Sequence, residues 1–214
     1  MHITWLGQSC FKIELKSQNE EVTIITYPFD AEKTGLKLPR TITADLVLQA
    51  GSTLAHTVTT REGKAPFIIS GAGEYEVKGV FVYAIPLTED SELKNSGHIF
   101  WIEAEDMVLV HPGPLTDIPK ENALQKIEDL DILFVPVGGG ELLDAKKATE
   151  LTSELEPRII IPMMYKIPGS SGNLQGVEPF LKSLGEKSET LPKLKISRKE
   201  LPNDEMRVVV LEKV

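Results

Sequence analysis

Cysteine is nearly absent from this sequence, Cys10 being the only one in 214 residues. A single thiol excludes an internal disulfide and any zinc site built from clustered thiolates, and it suits a reducing compartment. Basic residues are outnumbered as well, 23 Lys and Arg standing against 32 Asp and Glu for a net charge of -9. Such a field repels phosphate backbones and anionic lipid, so no nucleic-acid partner is expected. No stretch approaches the ~20 apolar residues of a membrane span. Met1 to Leu15 alternates like a strand and lacks the basic segment and apolar run of a secretory leader. No membrane association is expected, and the cytoplasm is the expected location. Internal repeats, low-complexity tracts and long linkers are also missing, which makes one domain over residues 1–214 the expectation.

What is present is an ordinary globular balance, 41% hydrophobic and 26% charged, sufficient for a substantial core. The first half is rich in short runs of β-branched and aromatic residues. Ile3 to Leu6, Cys10 to Leu15, Val22 to Tyr27, Leu46 to Leu48, Phe67 to Ser70, Val80 to Ile85 and Ile99 to Glu103 read as strands. Ser17, Gln18 and Asn19 form a polar hairpin turn, and Pro28 to Pro39 is a longer loop able to border a site. After the strand Met107 to His111 the grammar changes. Thr116 or Asp117 is placed to cap a helix from Pro119 to about Glu128, followed by a strand from Ile132 to Val137. Asp144 to Leu155 carries Ala145, Ala148, Leu151 and Leu155 at helical spacing. A buried strand at Arg158 to Pro162, a helix around Gly176 to Leu184, and closing strands at Leu194 to Ser197 and Arg207 to Glu212 complete the pattern. Many strands with interspersed helices and no strict alternation indicate an α/β (α+β) fold of two sheets face to face with helices outside.

Several strings in a fixed order carry a resemblance. They are Gly7-Gln8-Ser9-Cys10-Phe11, Tyr27-Pro28-Phe29, Ala44-Asp45-Leu46-Val47, Gly73-Glu74-Tyr75-Glu76-Val77-Lys78-Gly79, Val135-Pro136-Val137-Gly138-Gly139 and Ile161-Pro162-Met163-Met164-Tyr165. Together they resemble the zinc-dependent hydrolase-like branch of the metallo-β-lactamase superfamily. The resemblance implies a four-layer αββα sandwich whose loops, at one edge of the sheets, hold two zinc ions. The implied ligands are a His-x-His-x-Asp-His motif, two further histidines and a bridging aspartate. Zinc needs imidazole, carboxylate or thiolate donors.

Carried over position by position, most of those donors are missing. The motif falls on residues 51 to 56, where Gly51, Thr53 and Ala55 replace the first three ligands and only His56 remains. The next histidine falls at about Glu89, the bridging aspartate at Pro114 and the final histidine at Met164. Two supporting positions differ too, Gln8 standing for a histidine and Tyr27 for an aspartate. The expectation is a vestigial pocket formed by Gly51, Thr53, Ala55, His56, Glu89, Pro114 and Met164, with no catalytic residue, metal or cofactor. The corresponding function is a homologue that has lost the zinc site and binds a protein partner or small ligand, through the pocket edge or an oligomer surface. The alternative is a metal-dependent hydrolase with an atypical mononuclear site around His56 and Glu89.

Other residues have plainer readings beside the chemical ones. His56 is a hydrogen-bonded relic or a general base. His111 has a structural role, Cys10 is a buried core thiol, and His2 and His98 are surface or edge residues. Gly71 to Gly73 and Gly138 to Gly140 are tight turns, since neither fits a phosphate-binding fingerprint.

Overall fold

The computed structural model describes residues 1–51, 54–87, 97–203 and 205–214. The alternating first segments form an antiparallel meander of β1 (His2–Gly7), β2 (Cys10–Ser17) and β3 (Glu20–Thr26). Ser17 pairs with Glu20, and Gln18 and Asn19 between them both take positive φ, 50° and 68°. That is the backbone a two-residue hairpin needs to match strand twist. One turn of helix, α1 (Ala31–Thr34), follows, capped by the Asp30 carboxylate and ended by left-handed Gly35. The chain continues through β4 (Ile42–Thr43), β5 (Leu46–Leu48), β6 (Val58–Thr59) and β7 (Phe67–Ile69). Next come β8 (Gly73–Val77), β9 (Val80–Pro86), β10 (His98–Ala104) and β11 (Met107–His111).

Helices then alternate with strands: α2 (Glu121–Leu124), β12 (Ile132–Pro136), α3 (Ala145–Leu155), β13 (Ile159–Met163) and α4 (Glu178–Leu184). β14 (Ser188–Leu191), β15 (Leu194–Lys195) and β16 (Arg207–Leu211) close the described chain. One sheet has the order β15-β1-β2-β3-β5-β7 and the other β14-β16-β13-β12-β11-β10-β9-β8, while β4 and β6 pair separately as a short ribbon.

The inner faces of the two sheets make the main core. Phe11 from the first sheet meets Phe134 from the second with ring centres 4.5 Å apart, both fully buried. Losing either ring would cost about 3–5 kcal/mol through transfer and cavity terms together. β12 and β13 read ILFVP and IIIPM and are buried at every position, the pattern of parallel strands covered on both faces. Their cover is α3, which turns Ala148 and Leu151 inward as its spacing requires, and α4, which contributes Phe180. On the far side of the first sheet, Leu6, Cys10, Ile25 and Val47 pack with Phe29, Leu36, Ile42 and Val58 in a second apolar cluster. The cover there is the Pro28 to Pro39 loop, α1 and the β4–β6 ribbon. The layering is thus that of the αββα sandwich, with one outer layer reduced to a helical turn and loop.

Three local differences from the sequence reading have physical causes. The helix expected from Pro119 to Glu128 contracts to α2. Its cap position, Lys120, offers no side-chain acceptor, and the Asp117 carboxylate instead takes the Ile118 N–H and the Lys147 ammonium. Beyond Leu124 the bonds tighten to three-residue steps, Lys126 to Ala123 and Ile127 to Leu124. β8 and β14 were not anticipated as strands: they are short edge strands in which no residue is buried, so the apolar signal of a core-facing strand is weak. No described helix is long and apolar enough to cross a membrane.

Candidate functional site

β3, β5 and β7 run parallel in one sheet and β11, β12, β13 and β16 in the other. Loops leaving their carboxyl ends therefore gather along one edge of each sheet, the usual place for a site in parallel sheets. Two bonds join the edges across the sandwich. The Met164 N–H donates to the Gln8 carbonyl at 3.3 Å, and the His111 Nε2–H donates to the Ser9 carbonyl at 3.0 Å. The Gln8 carbonyl also accepts from Trp5 Nε1 at 2.9 Å.

Gln8, Tyr27 and Met164 all hold positive φ, 51°, 37° and 54°. Non-glycine residues avoid this region, and the strain clusters at sites the surrounding fold over-determines. The left-handed backbone persists where the resemblance places metal-supporting side chains, although the side chains themselves have changed.

Those side chains fill space. The Tyr27 ring stacks on His111 at 5.3 Å and meets Phe100 edge-on at 5.9 Å, its hydroxyl reaching toward the His98 carbonyl at 3.4 Å. Burial pushes the phenol's pKa up. Gly113, at φ +69°, accommodates it: a Cβ there would lie 2.5 Å from the Tyr27 hydroxyl oxygen. His111 is fully buried, with Nε2 donating to Ser9 and Nδ1 accepting the Gly113 N–H at 3.2 Å, so both ring nitrogens are engaged in the neutral form. Burial lowers its pKa to about 4, against the smaller opposing effect of its hydrogen bonds.

The expected pocket residues do not all come together. Met164 lines a cleft of about 590 Å³ with Gln8, Lys33, Glu141 and Asn173. Gly51, Ala55, His56 and Pro114 lie in loops that do not contribute to that lining, and Thr53 and Glu89 fall outside the described residues. Gly51 is exposed at φ +78° with open space around it, and Pro114 and Ala55 are exposed. His56 Nε2 lies 2.7 Å from the Pro39 carbonyl, which only accepts, so Nε2 carries a proton and in the neutral tautomer the lone pair is on Nδ1. The cleft's Lys33, Glu141 and Asn173 were missed by motif reading; the placement of a site-bordering loop at Pro28 to Pro39 was the available signal for Lys33. His98, read as a surface or edge residue, is instead fully buried in β10, paired with Pro86 of β9 and with its ring beside Phe100. Cys10 is buried and its thiol is pushed far above the ordinary range, which leaves it no thiolate character.

Among the described residues no group of three or more His, Cys, Asp or Glu is placed to hold a metal ion. The two-zinc centre of the superfamily does not fit the donors described, since His111 is committed to the backbone and Tyr27 fills the adjoining space.

Comparison with known proteins adds a correction. The family model for the β-lactamase superfamily domain matches residues 2–164. A metal-dependent hydrolase of Methanopyrus kandleri is 22% identical over 197 residues, covering 77% of this chain and 84% of that protein. One from Carboxydothermus hydrogenoformans is 25% identical over 196 residues, covering 77% of this chain and 84% of the relative. A crystal structure from Thermotoga maritima, of a candidate zinc-dependent hydrolase of the metallo-β-lactamase superfamily, superposes with a TM-score of 0.78 at 30% identity over 99% of this chain and 100% of that one. The expectation of a non-catalytic homologue that merely binds a partner or small ligand is overturned by these names, which favour the hydrolase alternative. Five replaced ligands do not by themselves mean that catalysis is lost, since a superfamily motif records one way of binding metal. By its family model, its strand order and its relatives, the chain belongs to the metallo-β-lactamase superfamily.

Proposed function

We propose that this protein is a metal-dependent hydrolase with an atypical mononuclear site on the loop edge of the sandwich, centred on His56. The observation that carries this reading is the 2.7 Å bond from His56 Nε2 to the Pro39 carbonyl. A metal-ligating histidine almost always donates its other ring N–H to a carbonyl or carboxylate, which fixes the tautomer and aims the free nitrogen. His56 is held in that way, and Glu89 is the second donor the sequence offers at an expected ligand position. Relatives named as metal-dependent hydrolases support the same reading. The 590 Å³ cleft lined by Gln8, Met164 and Glu141, at an expected ligand position, is the space we assign to the substrate.

The test is a hydrolysis screen on phosphodiester, lactone and thioester substrates. It uses protein stripped with a chelator and then reloaded separately with zinc, manganese or iron. Turnover that requires metal and falls at least about 100-fold in His56→Ala, with an unchanged unfolding midpoint, is expected. Absence of turnover in every metal form, or full activity in His56→Ala, overturns the reading.

A further inference from the structure

The outer face of the eight-stranded sheet, at its β8 end, is open and has an unusual composition. Along β9 the residues Val80, Val82 and Ala84 enter the core while Phe81 and Tyr83 point away, 45% and 41% exposed. The register sets two rows across three strands. Glu74, Tyr83 and Trp101 are directly opposite one another in β8, β9 and β10, and Glu76, Phe81 and Glu103 form the adjacent row. Tyr83 and Trp101 meet edge to face at 5.2 Å and 88°, and the Trp101 indole N–H donates to the Glu128 carbonyl at 3.2 Å, which fixes the ring. All residues of the two rows but Glu76 border a cleft of about 860 Å³, whose lining carries one ammonium, Lys126, against the carboxylates of Glu74, Glu103 and Glu128.

We propose that this face docks an extended segment of a partner protein carrying lysine or arginine at alternate positions, laid along β8. Three observations favour that occupant. Aromatic faces attract cations by about 0.5–2 kcal/mol each when the cation is held over them, and these aromatics have carboxylates in their own cross-strand rows. Glu74 and Glu76 are two residues apart on one face of an edge strand, so their spacing, about 6.8 Å, is that of side chains i and i+2 on an added strand. Among the described residues β8 is the last strand in its sheet order, and the edge of a sheet offers backbone partners to such a segment. A second copy of this chain is disfavoured: pairing β8 with itself would set glutamates opposite glutamates on a protein of net charge -9. The face shares no residue with the proposed hydrolase site, so neither reading depends on the other.

The probe is an acetylated six-residue peptide alternating lysine and valine, with a glutamate-valine peptide as control, followed through Trp101 fluorescence. Trp5, the other tryptophan, is buried in the core and Trp101→Phe identifies the reporter. Saturable binding of the lysine peptide is expected, weakened at least about tenfold by the double substitution Glu74→Lys and Glu76→Lys. Tyr83→Ala, read by calorimetry, is expected to weaken it several-fold, and raising NaCl from about 50 to about 500 mM to weaken it strongly. Glu74→Gln provides a milder variant should the charge reversal disturb folding. Equal binding of the glutamate peptide, indifference to these substitutions, or a dimer through this face in sedimentation overturns the proposal. So does absence of binding, in which case the glutamates serve only to keep an edge strand from aggregating.

Discussion

The Tyr27 ring lies over the His111 imidazole with centres 5.3 Å apart and planes 21° from parallel. It occupies space beside the loop edge where the family resemblance places a carboxylate, so its contribution is packing. Tyr27→Ala is expected to cost about 3 kcal/mol in denaturant unfolding, whereas Tyr27→Phe should cost under about 1 kcal/mol. The hydroxyl's bond to the His98 carbonyl, at 3.4 Å, is too long to matter more. Equal losses in the two variants would show that the hydroxyl, not the ring, holds the site.

His111 gives the protein a pH dependence of definite sign. Its folded pKa is lowered from 6.5 to about 4, chiefly by burial, so between those values the unfolded chain binds the proton more readily. The stability that depends on neutral His111 is complete above pH 6.5 and declines as pH falls toward 4, by about 3 kcal/mol in all. Unfolding midpoints measured across that range should fall more steeply in the wild type than in His111→Asn. Parallel profiles would contradict the assignment.

Glycine matters in two different ways at the loop edge. A Cβ on Gly138 would overlap the Met164 carbonyl oxygen, a backbone atom that cannot swing aside, while Gly51 has open space but a φ of +78°. Gly138→Ala is expected to cost about 3 kcal/mol and to change the Gln8–Met164 cleft, and Gly51→Ala about 1 kcal/mol of local strain with no effect on the cleft. Thermal unfolding of both variants separates the two effects.

Asp131 is a buried junction. Its carboxylate, 2% exposed, accepts the Val108 N–H at 2.9 Å and Arg198 Nη1 at 2.7 Å, and lies 3.3 Å from Arg158 Nε. The arginines are 50% and 40% exposed and keep much of their hydration. Asp131→Ala should therefore cost about 3 kcal/mol, mostly from the orphaned backbone N–H and lost packing, and Arg198→Ala under about 1 kcal/mol. A chemical denaturation series on the two variants checks the asymmetry.

The sandwich was legible because its determinants are local. Alternation marked β1 to β3, continuous apolar runs marked β12 and β13, and the Asp144 cap with inward Ala148 and Leu151 marked α3. β8 was hidden by its glutamates, which answer to solvent rather than to a core. At the site, sequence could say that Gly51, Pro114 and Met164 carry no ligand of the expected kind. It could not show that Lys33, Glu141 and Asn173 meet at Met164, because those residues come from loops far apart in the chain. The step from missing ligands to missing catalysis was the error, since a superfamily's motif records one way of binding metal and not the whole of a fold's chemistry.

Strand order also bears on how the molecule is reached from the unfolded chain. His2 is paired with Lys195, and β16 sits inside its sheet with β13 on one side and β14 on the other. Neither sheet completes until distant segments have met, so the entropy of closing long loops falls before the contacts that reward it. Refolding from denaturant should accordingly take about milliseconds to seconds rather than microseconds. Unfinished sheet edges exposed during that interval make dilute solution the favourable condition for recovery.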